Sequence, residues 1–154
     1  MDSDDRPAVA VPPPLVFAIA LGAGLALGRT PHDATPRSRI VRALGTASVV
    51  AGAALGIATL ATLRAAGTTA NPYGRASALV TGGPFAWTRN PAYVGVTSIF
   101  VGVAMREGSL PALVFLPIAL ALVDHYVVDA EERYLARTFG EAYDAYAKKT
   151  PRWF

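Results

Sequence analysis

Cysteine is absent from the 154-residue sequence, and histidine occurs only twice, as His32 and His125. Without thiols, the chain has no means of forming a disulfide framework, a thiolate metal site or a cysteine nucleophile. Two histidines are also too few for a histidine-rich metal centre. The sequence therefore predicts no metal site, and any chemistry must come from carboxylates, arginines and hydroxyl groups.

Charged residues are also scarce, at 16% of the chain, whereas an average soluble domain has about a quarter. Hydrophobic residues make up 53%, and the mean hydropathy is +0.36. This composition indicates a membrane protein with a single domain, residues 1–154. The net charge of +3 is not gathered into a basic run, so the chain is expected to contact anionic lipid headgroups and no nucleic acid.

Four apolar segments are predicted to be membrane-spanning helices. They cover about residues 13–28, 41–63, 91–105 and 110–128. A bilayer core needs about 20 apolar residues per helix, so the first and third segments are short. The first segment is expected to be a retained helix, because three aspartates precede it where a signal peptide would be positively charged.

Small residues four positions apart are predicted to be helix-packing sites within the bilayer. The two pairs are Gly24 with Gly28 and Gly52 with Gly56. Such spacing lets helix backbones approach closely. The glycines of the first pair lack the spacing of a dinucleotide-binding loop, and no strand precedes them.

Four crossings would place both termini on one face of the membrane, together with residues 64–90. Most of the 14 Lys and Arg residues fall on that face, which favours a cytoplasmic location for both termini. The four arginines of the loop at 29–42 weigh in the opposite direction. By charge alone, the sequence thus favours the orientation that places both termini in the cytoplasm.

The stretch TGGPFAWTRNPAYVG, residues 81–95, contains the first polar cluster of interest. Each of its prolines restricts the residue before it, so Gly83 and Asn90 should be extended. Asn90 is expected to cap the third helix, whose first position suits Pro91. Arg89 would either bind a carboxylate or extend its guanidinium to lipid phosphates.

A second polar cluster begins within the fourth apolar segment and is predicted to be helical. Helical periodicity places Asp124 and Glu131 on one face, and His125, Asp129 and Glu132 on the adjacent face. Ionisable groups at a membrane boundary are costly unless they are paired or hydrated, so these are candidates for function. The alternative is a solvated helix whose acids pair with Arg133 and Arg137.

An aromatic stripe continues this helix at intervals of three and four residues. It consists of Leu135, Phe139, Tyr143 and Tyr146. The spacing is typical of an amphipathic helix, which Gly140 is expected to divide into two. The stripe is either a packing face or part of a cofactor pocket. The cations and tryptophan that follow resemble an interfacial anchor: Lys148, Lys149, Arg152 and Trp153.

Taken together, the two clusters resemble a known family pattern. Arg89-Asn90-Pro91-Ala92-Tyr93-Val94-Gly95 is similar to an RHPxYxG motif, and after an apolar hairpin the chain carries Glu131-Glu132. This order is found in the integral-membrane isoprenylcysteine carboxyl methyltransferase and phospholipid methyltransferase family. The resemblance covers the C-terminal half of the chain and includes Pro151-Arg152.

The resemblance implies an all-α integral membrane protein of about four transmembrane helices with a cytosolic C-terminal helical cap. Residues 1–67 would form an N-terminal helical hairpin, and residues 68–154 a core that binds S-adenosylmethionine. It further implies a bacterial-type member in the inner (cytoplasmic) membrane. A lipid or another lipophilic small molecule would accept the methyl group, and no protein partner is predicted.

The same resemblance assigns site residues by position. A strand-like segment would line the adenosine pocket, namely Ser77, Ala78, Leu79 and Val80. The aromatic Phe85 and the motif residues would contact the donor, the latter being Asn90, Pro91, Ala92 and Tyr93. Glu131 would bind the ammonium group of the donor. Arg89 would hold the carboxylate of the donor or of an acidic substrate. Glu132 is the nearest candidate for a general base.

Two positions depart from the family pattern. Asn90 replaces a frequent histidine, and Val127 lies where prenylcysteine enzymes place a substrate-binding arginine. The acceptor is therefore left open among carboxylate, thiol and amine compounds. Two other functions are alternatives: an NADPH-dependent membrane reductase with sterol-reductase-like architecture, and a non-catalytic membrane scaffold.

Overall fold

The structure is a computed structural model that describes residues 12–28, 38–69 and 76–153. Within these ranges all regular secondary structure is helical, as predicted. The helices are α1 (Pro13–Leu27), α2 (Arg39–Ala65), α3 (Pro91–Glu107), α4 (Leu110–Val123), α5 (Asp129–Phe139) and α6 (Glu141–Lys149). A 3-10 turn covers Gly83–Ala86, and a π-helical turn, Asp124–Val128, joins α4 to α5. The acidic N-terminus, His32 and most of the 29–42 loop lie outside the described residues.

Two of the described helices are long and apolar enough to cross a membrane. They are α2, with 27 residues, and the continuous helix Leu110–Phe139, with 30 residues. Helix α1 has only 15 residues, and at about 1.5 Å per residue it is shorter than the hydrocarbon core of a bilayer, which is about 30 Å thick. The prediction of four spans therefore remains a prediction for α1 and α3.

The hairpin of α3 and α4 has a two-residue connection. Gly108 ends α3 with a φ of +61°, a conformation that glycine adopts without steric cost. Ser109 caps α4, since its Oγ accepts a hydrogen bond from the Ala112 N–H at 3.2 Å. The same Oγ donates to the Gly24 carbonyl at 2.8 Å and so ties α1 to the hairpin. This tight turn directs α4 back toward the end at which α3 starts.

Helices α2 and α3 pack through glycines that face each other. A Cβ added at Gly102 would lie 2.5 Å from the Gly45 carbonyl oxygen, and one at Gly52 would lie 2.5 Å from the Gly95 carbonyl oxygen. The sequence prediction that Gly52 is a packing glycine is thus confirmed. The Gly56 backbone lies at the same contact, because a Cβ added at Gly95 would be 3.3 Å from the Gly56 nitrogen. A Cβ added at Gly56 itself would meet no described atom within 4 Å.

The first predicted glycine pair packs against α4. A Cβ at Gly24 would overlap the backbone of Ala112, and one at Gly28 would lie 2.6 Å from the Ser109 hydroxyl. Both glycines therefore contact another helix, as expected from their spacing. Helix α1 consequently lies directly on the start of α4.

The buried core lies between α1, α3 and the long helix of α4 and α5. Phe17 of α1 meets Phe100 of α3 edge to face, with ring centroids 6.4 Å apart. Val123, Val127 and Val128 fill the space beside them and are almost completely buried. In contrast, large apolar side chains on the outer faces are exposed, as suits contact with lipid: Leu15, Ile19, Leu44, Val50, Ile57, Val114, Ile118 and Leu122.

The contact between α2 and α3 leads to a first prediction. Gly52→Ala should lower the free energy of unfolding by about 1–3 kcal/mol, because the new methyl group would overlap the Gly95 carbonyl and lie 2.9 Å from Ile99. The matched control is Gly56→Ala, which adds the same methyl group to open space. Thermal unfolding in detergent measures both, and equal melting temperatures would contradict this packing.

Candidate functional site

A cavity of about 200 Å³ lies where α3 begins and where the π-helical turn leads into α5. Its walls come from α2, the segment before α3, the first turn of α3, and helices α5 and α6. Most of the predicted site residues line it: Ala78, Leu79, Val80, Phe85, Arg89, Asn90, Pro91, Ala92, Tyr93, Glu131 and Glu132. The two polar clusters recognised in the sequence are therefore brought together in one place.

Ser77 is the predicted site residue that does not line the cavity. It is exposed, its hydroxyl donates to the Gly67 carbonyl at 2.8 Å, and its N–H donates to the Thr68 hydroxyl at 3.1 Å. The strand-like conformation expected for residues 77–80 is not found, because residues 77 and 78 form a bend and residues 79 and 80 have no regular secondary structure. Instead the Ala76 N–H donates to the Tyr134 hydroxyl at 3.0 Å, which holds the segment against α5.

The 3-10 turn positions Phe85 in the cavity wall. Gly83 begins this turn with a φ of +59°, so the extended conformation expected before Pro84 was wrong. The positive φ carries no steric cost for glycine, and the position has little room for a side chain, since a Cβ would lie 3.0 Å from the Thr62 hydroxyl. The Tyr146 hydroxyl then donates to the Phe85 carbonyl at 2.8 Å and joins the turn to α6.

Asn90 precedes α3 but does not cap it with its side chain. The predicted cap was wrong because the amide turns toward the end of the described chain, where its Nδ2 donates to the Arg152 carbonyl at 3.1 Å. The Thr88 hydroxyl donates to the same carbonyl at 2.8 Å and accepts from the Asn90 N–H at 3.2 Å. The start of α3 is thus bound to residues 151–153.

Glu131 and Tyr93 connect the two arms of the hairpin inside the cavity. The Tyr93 hydroxyl donates to Glu131 Oε1 at 3.1 Å. Tyr93 belongs to the first turn of α3 and Glu131 to the first turn of α5. One carboxylate oriented by a phenol therefore lines the cavity.

Arg89 lies in the cavity wall and is mostly buried. Its Nη1 is 3.2 Å from Glu132 Oε1 and donates to the Tyr143 hydroxyl at 3.4 Å. Its backbone N–H donates to the Pro151 carbonyl at 2.9 Å. Nε is buried and has no hydrogen-bond partner among the residues that the structure describes. The guanidinium is therefore held within the protein and not extended toward lipid phosphates.

Glu132 binds two guanidinium groups at once. Arg152 donates from Nη2 to Oε2 at 2.7 Å and from Nε to Oε1 at 3.2 Å, and Arg89 approaches Oε1 from the other side. Hydrogen bonds from charged donors are among the stronger ones in proteins. Both oxygens of Glu132 are therefore already engaged, which leaves little capacity to remove a proton from a substrate.

The π-helical turn changes which acids face each other. The Asp129 N–H donates to the Asp124 carbonyl, five residues earlier, so the helix accommodates one extra residue. As a result Asp124 and Asp129 both reach Arg152, at 3.3 Å and 2.9 Å. The predicted separation of these acids onto two faces was wrong, because it assumed a regular α-helix.

Arg152 was expected to be an interfacial anchor and is instead the centre of this acidic cluster. The hydrogen bond with Glu132, assisted by the three carboxylate charges, raises the pKa of Arg152 above its ordinary value. Trp153 Nε1 also donates to Asp124 Oδ1 at 3.1 Å. Three acids near one another in sequence indicate that a cation must compensate them, but the sequence does not show that the cation comes from residue 152.

Besides Thr68, Thr69 and Ala76 of the connection after α2, two sets of cavity residues were missing from the predicted site. One is the end of α2, which contributes Thr59, Leu60 and Leu63. The other comes from α5 and α6 and includes Tyr134, Leu135, Tyr143 and Tyr146. Three of this second set belong to the aromatic stripe, for which a pocket was one of two interpretations. Gly140, with a φ of +53°, divides the stripe between α5 and α6 as predicted.

Comparison with known proteins identifies a family profile that matches more than half of the chain. The profile of the phospholipid methyltransferases matches residues 40–142. The match runs from α2 into the start of α6 and includes both polar clusters. No solved structure matches the chain significantly.

Three curated proteins are similar over about half of the chain. The nickel-cobalt-cadmium resistance protein NccN of Alcaligenes xylosoxydans is 35% identical over 52% of the chain and 37% of its own length. The cobalt-zinc-cadmium resistance protein CzcN of Cupriavidus metallidurans is 37% identical over 49% and 35%. The protein-S-isoprenylcysteine O-methyltransferase of Schizosaccharomyces pombe is 34% identical over 47% and 31%. The matches thus span about a third of each relative.

The buried hydrogen bond of Tyr146 gives a prediction about pH. Burial raises the pKa of Tyr146 to about 12, above the value of about 10 in an unfolded chain. Because the folded pKa is the higher one, the neutral phenol stabilises the fold below about pH 10, and this contribution is lost as the pH rises toward 12. Tyr146→Phe should therefore unfold more easily at pH 8, by about 1 kcal/mol, and lose less stability than the wild type between pH 9 and pH 11.

Melting temperatures across this pH range provide the measurement. Some pH dependence should persist in the variant, since burial also raises the pKa of Tyr143. Tyr126→Phe is the matched control, because Tyr126 is 59% exposed. Parallel curves for the wild type and Tyr146→Phe would contradict the buried hydrogen bond.

Proposed function

Because this chain belongs to the phospholipid methyltransferase family, we propose that it is an integral-membrane methyltransferase. Its methyl donor is S-adenosylmethionine, and its acceptor is a lipid or another lipophilic small molecule. The observation that carries the proposal is the joint placement of Arg89 and Glu131 in one cavity beside an apolar wall. A guanidinium and a carboxyl group in one cavity are the groups needed to bind an amino acid.

The chemistry of the cavity fits the donor. S-adenosylmethionine has an adenosine group, an ammonium group and a carboxylate, and its sulfonium carries the methyl group that is transferred. The apolar residues Leu79, Val80 and Phe85 suit the adenosine. Glu131 suits the ammonium group, and Arg89, whose buried Nε–H has no acceptor within residues 12–28, 38–69 and 76–153, suits the carboxylate.

The role of the residues is to bind and orient, since transfer from an activated methyl donor depends mainly on alignment. The Tyr93 hydroxyl fixes Glu131, and Glu132 fixes Arg89. We assign Glu132 this positioning role in place of a general base, because both of its oxygens are bound by arginines. An acceptor that is a carboxylate or a thiolate attacks without a base, whereas an amine must first lose its proton.

The position of α2 favours a lipophilic acceptor. Its residues Thr59, Leu60 and Leu63 form part of the cavity wall, and Leu60 is 41% exposed. The cavity therefore adjoins a helix that is long enough to cross a membrane. The acceptor would reach the cavity from the bilayer between helices, and the donor from the cytoplasm, with both termini on the cytoplasmic side of a bacterial inner membrane.

Titration calorimetry with S-adenosylhomocysteine, the product of the donor, tests the proposed site. The purified protein should bind it, and Glu131→Gln should weaken binding about tenfold or more, since a charged hydrogen bond contributes about 1.5–3 kcal/mol. Glu141→Gln is the matched control, because Glu141 is an exposed acid of α6 that does not line the cavity.

Two results would overturn the donor assignment. Binding of NADPH without binding of S-adenosylhomocysteine would indicate a membrane reductase. Binding of neither compound would favour a non-catalytic scaffold. An equal loss of affinity in Glu131→Gln and Glu141→Gln would mean that the protein binds the donor but that Glu131 is not part of the binding site.

The class of acceptor can be tested without knowing its identity. Membranes that contain the protein, incubated with methyl-labelled S-adenosylmethionine, should transfer label to compounds that extract into an organic solvent. Membranes with Glu131→Gln should transfer about tenfold less, in line with weaker donor binding. Label that depends on the protein but stays in the aqueous phase would show that the acceptor is polar.

A further inference from the structure

Residues 151 and 152 contact Arg89 and its neighbours through their backbone. The Pro151 carbonyl accepts the Arg89 N–H at 2.9 Å. The Arg152 carbonyl accepts the hydroxyl of Thr88 at 2.8 Å and the side-chain amide of Asn90 at 3.1 Å. The residue before Arg89, Arg89 itself and the residue after it are therefore each hydrogen-bonded to this dipeptide. The backbone position of Arg89 depends on them.

The side chain of Arg152 contacts Arg89 indirectly, through Glu132. Both guanidinium groups bind Oε1 of Glu132, each at 3.2 Å, and Arg152 also binds Oε2 at 2.7 Å. The Nε and Nη2 donors of Arg152 each bind one oxygen of Glu132 and so fix the plane of the carboxylate. The oxygen that meets Arg89 is consequently held in one direction.

Charge balance gives Arg152 a second effect on Arg89. Three carboxylates, those of Asp124, Asp129 and Glu132, lie around Arg152. Without the Arg152 guanidinium, Arg89 would be the nearest described cation paired with this acidic cluster. Partly buried charges interact strongly, so the uncompensated acids would attract the Arg89 guanidinium away from the cavity.

We infer that Arg152 is a positioning residue of the donor site, which acts through Glu132 to hold the Arg89 guanidinium toward the carboxylate of the donor. The inference rests on the proposed function, because it concerns the donor's binding site. It goes beyond the family match, which ends at residue 142. Arg152 itself does not line the cavity and has no predicted contact with the donor.

Two ligands separate positioning from a general structural role. S-adenosylhomocysteine has the amino acid group that Arg89 would bind, whereas 5′-methylthioadenosine has the same adenosine group without it. Arg152→Gln should raise the dissociation constant of S-adenosylhomocysteine about tenfold, the loss of a charged interaction. The dissociation constant of 5′-methylthioadenosine should change less than about twofold, because the adenosine wall is not altered.

Three further variants complete the experiment. Arg152→Lys keeps the charge but cannot bind both oxygens of Glu132 in a fork. It should therefore lose less affinity than Arg152→Gln, and only for S-adenosylhomocysteine. In an Arg89→Gln background, Arg152→Gln should cause no additional loss of affinity for S-adenosylhomocysteine, since Arg152 affects this ligand only through Arg89. Lys149→Gln is the matched surface control, because Lys149 is exposed, and it should affect neither ligand.

The outcomes distinguish the inference from the proposed function. A wild type that binds neither ligand overturns the donor site and the inference with it. A wild type that binds both, with Arg152→Gln weakening the two ligands equally, shows a structural role and overturns the inference alone. If the affinity losses of Arg89→Gln and Arg152→Gln add in the double variant, the inference alone is likewise overturned. If Arg152→Gln does not fold, the Arg152→Lys comparison of the two ligands decides the question.

Discussion

The structure depends on a rule of membrane electrostatics: charged groups at the boundary of an apolar helix bundle must be paired or hydrated. Here two arginines and three carboxylates satisfy each other from segments that are far apart in sequence. Arg89 precedes α3, the acids belong to the long helix of α4 and α5, and Arg152 follows α6. Each of these segments carries charges that are compensated only by another segment. Pairing the charges therefore also holds the segments together, and the cavity lies between them.

The helix hairpin makes this pairing geometrically possible. The two-residue turn after α3 returns the chain to the end from which it started, so Tyr93 and Glu131 can meet at 3.1 Å across the hairpin. The glycine contacts of α2 with α3 then bring the end of α2 against the same cavity. Close backbone packing in the apolar part thus accompanies the placement of the end of α2 in the wall of the polar site.

Much of this site could be predicted from the sequence, because its residues lie in two short segments with strong local signals. Prolines marked the start of α3, glycine divided α5 from α6, and apolar runs indicated the hairpin that joins the segments. Other features could not be predicted. The π-helical turn changes the register of Asp124 relative to Asp129, and both acids then pair with the distant Arg152. Asn90 has every local feature of a cap, yet a distant carbonyl competes for its amide.

The family match and the ion network cover different parts of the molecule. The match ends at residue 142, so it contains Arg89, Glu131 and Glu132 but not Tyr143, Tyr146 or Arg152. The residues outside the match contact those inside it: Tyr146 holds the 3-10 turn, and Arg152 holds Glu132 and the start of α3. A cavity built only from the matched residues would have Glu132 paired with one arginine and a 3-10 turn without its hydrogen bond to Tyr146. The segment after the match is therefore a physical part of the cavity, and the proposed binding of the donor should depend on it as much as on the motif.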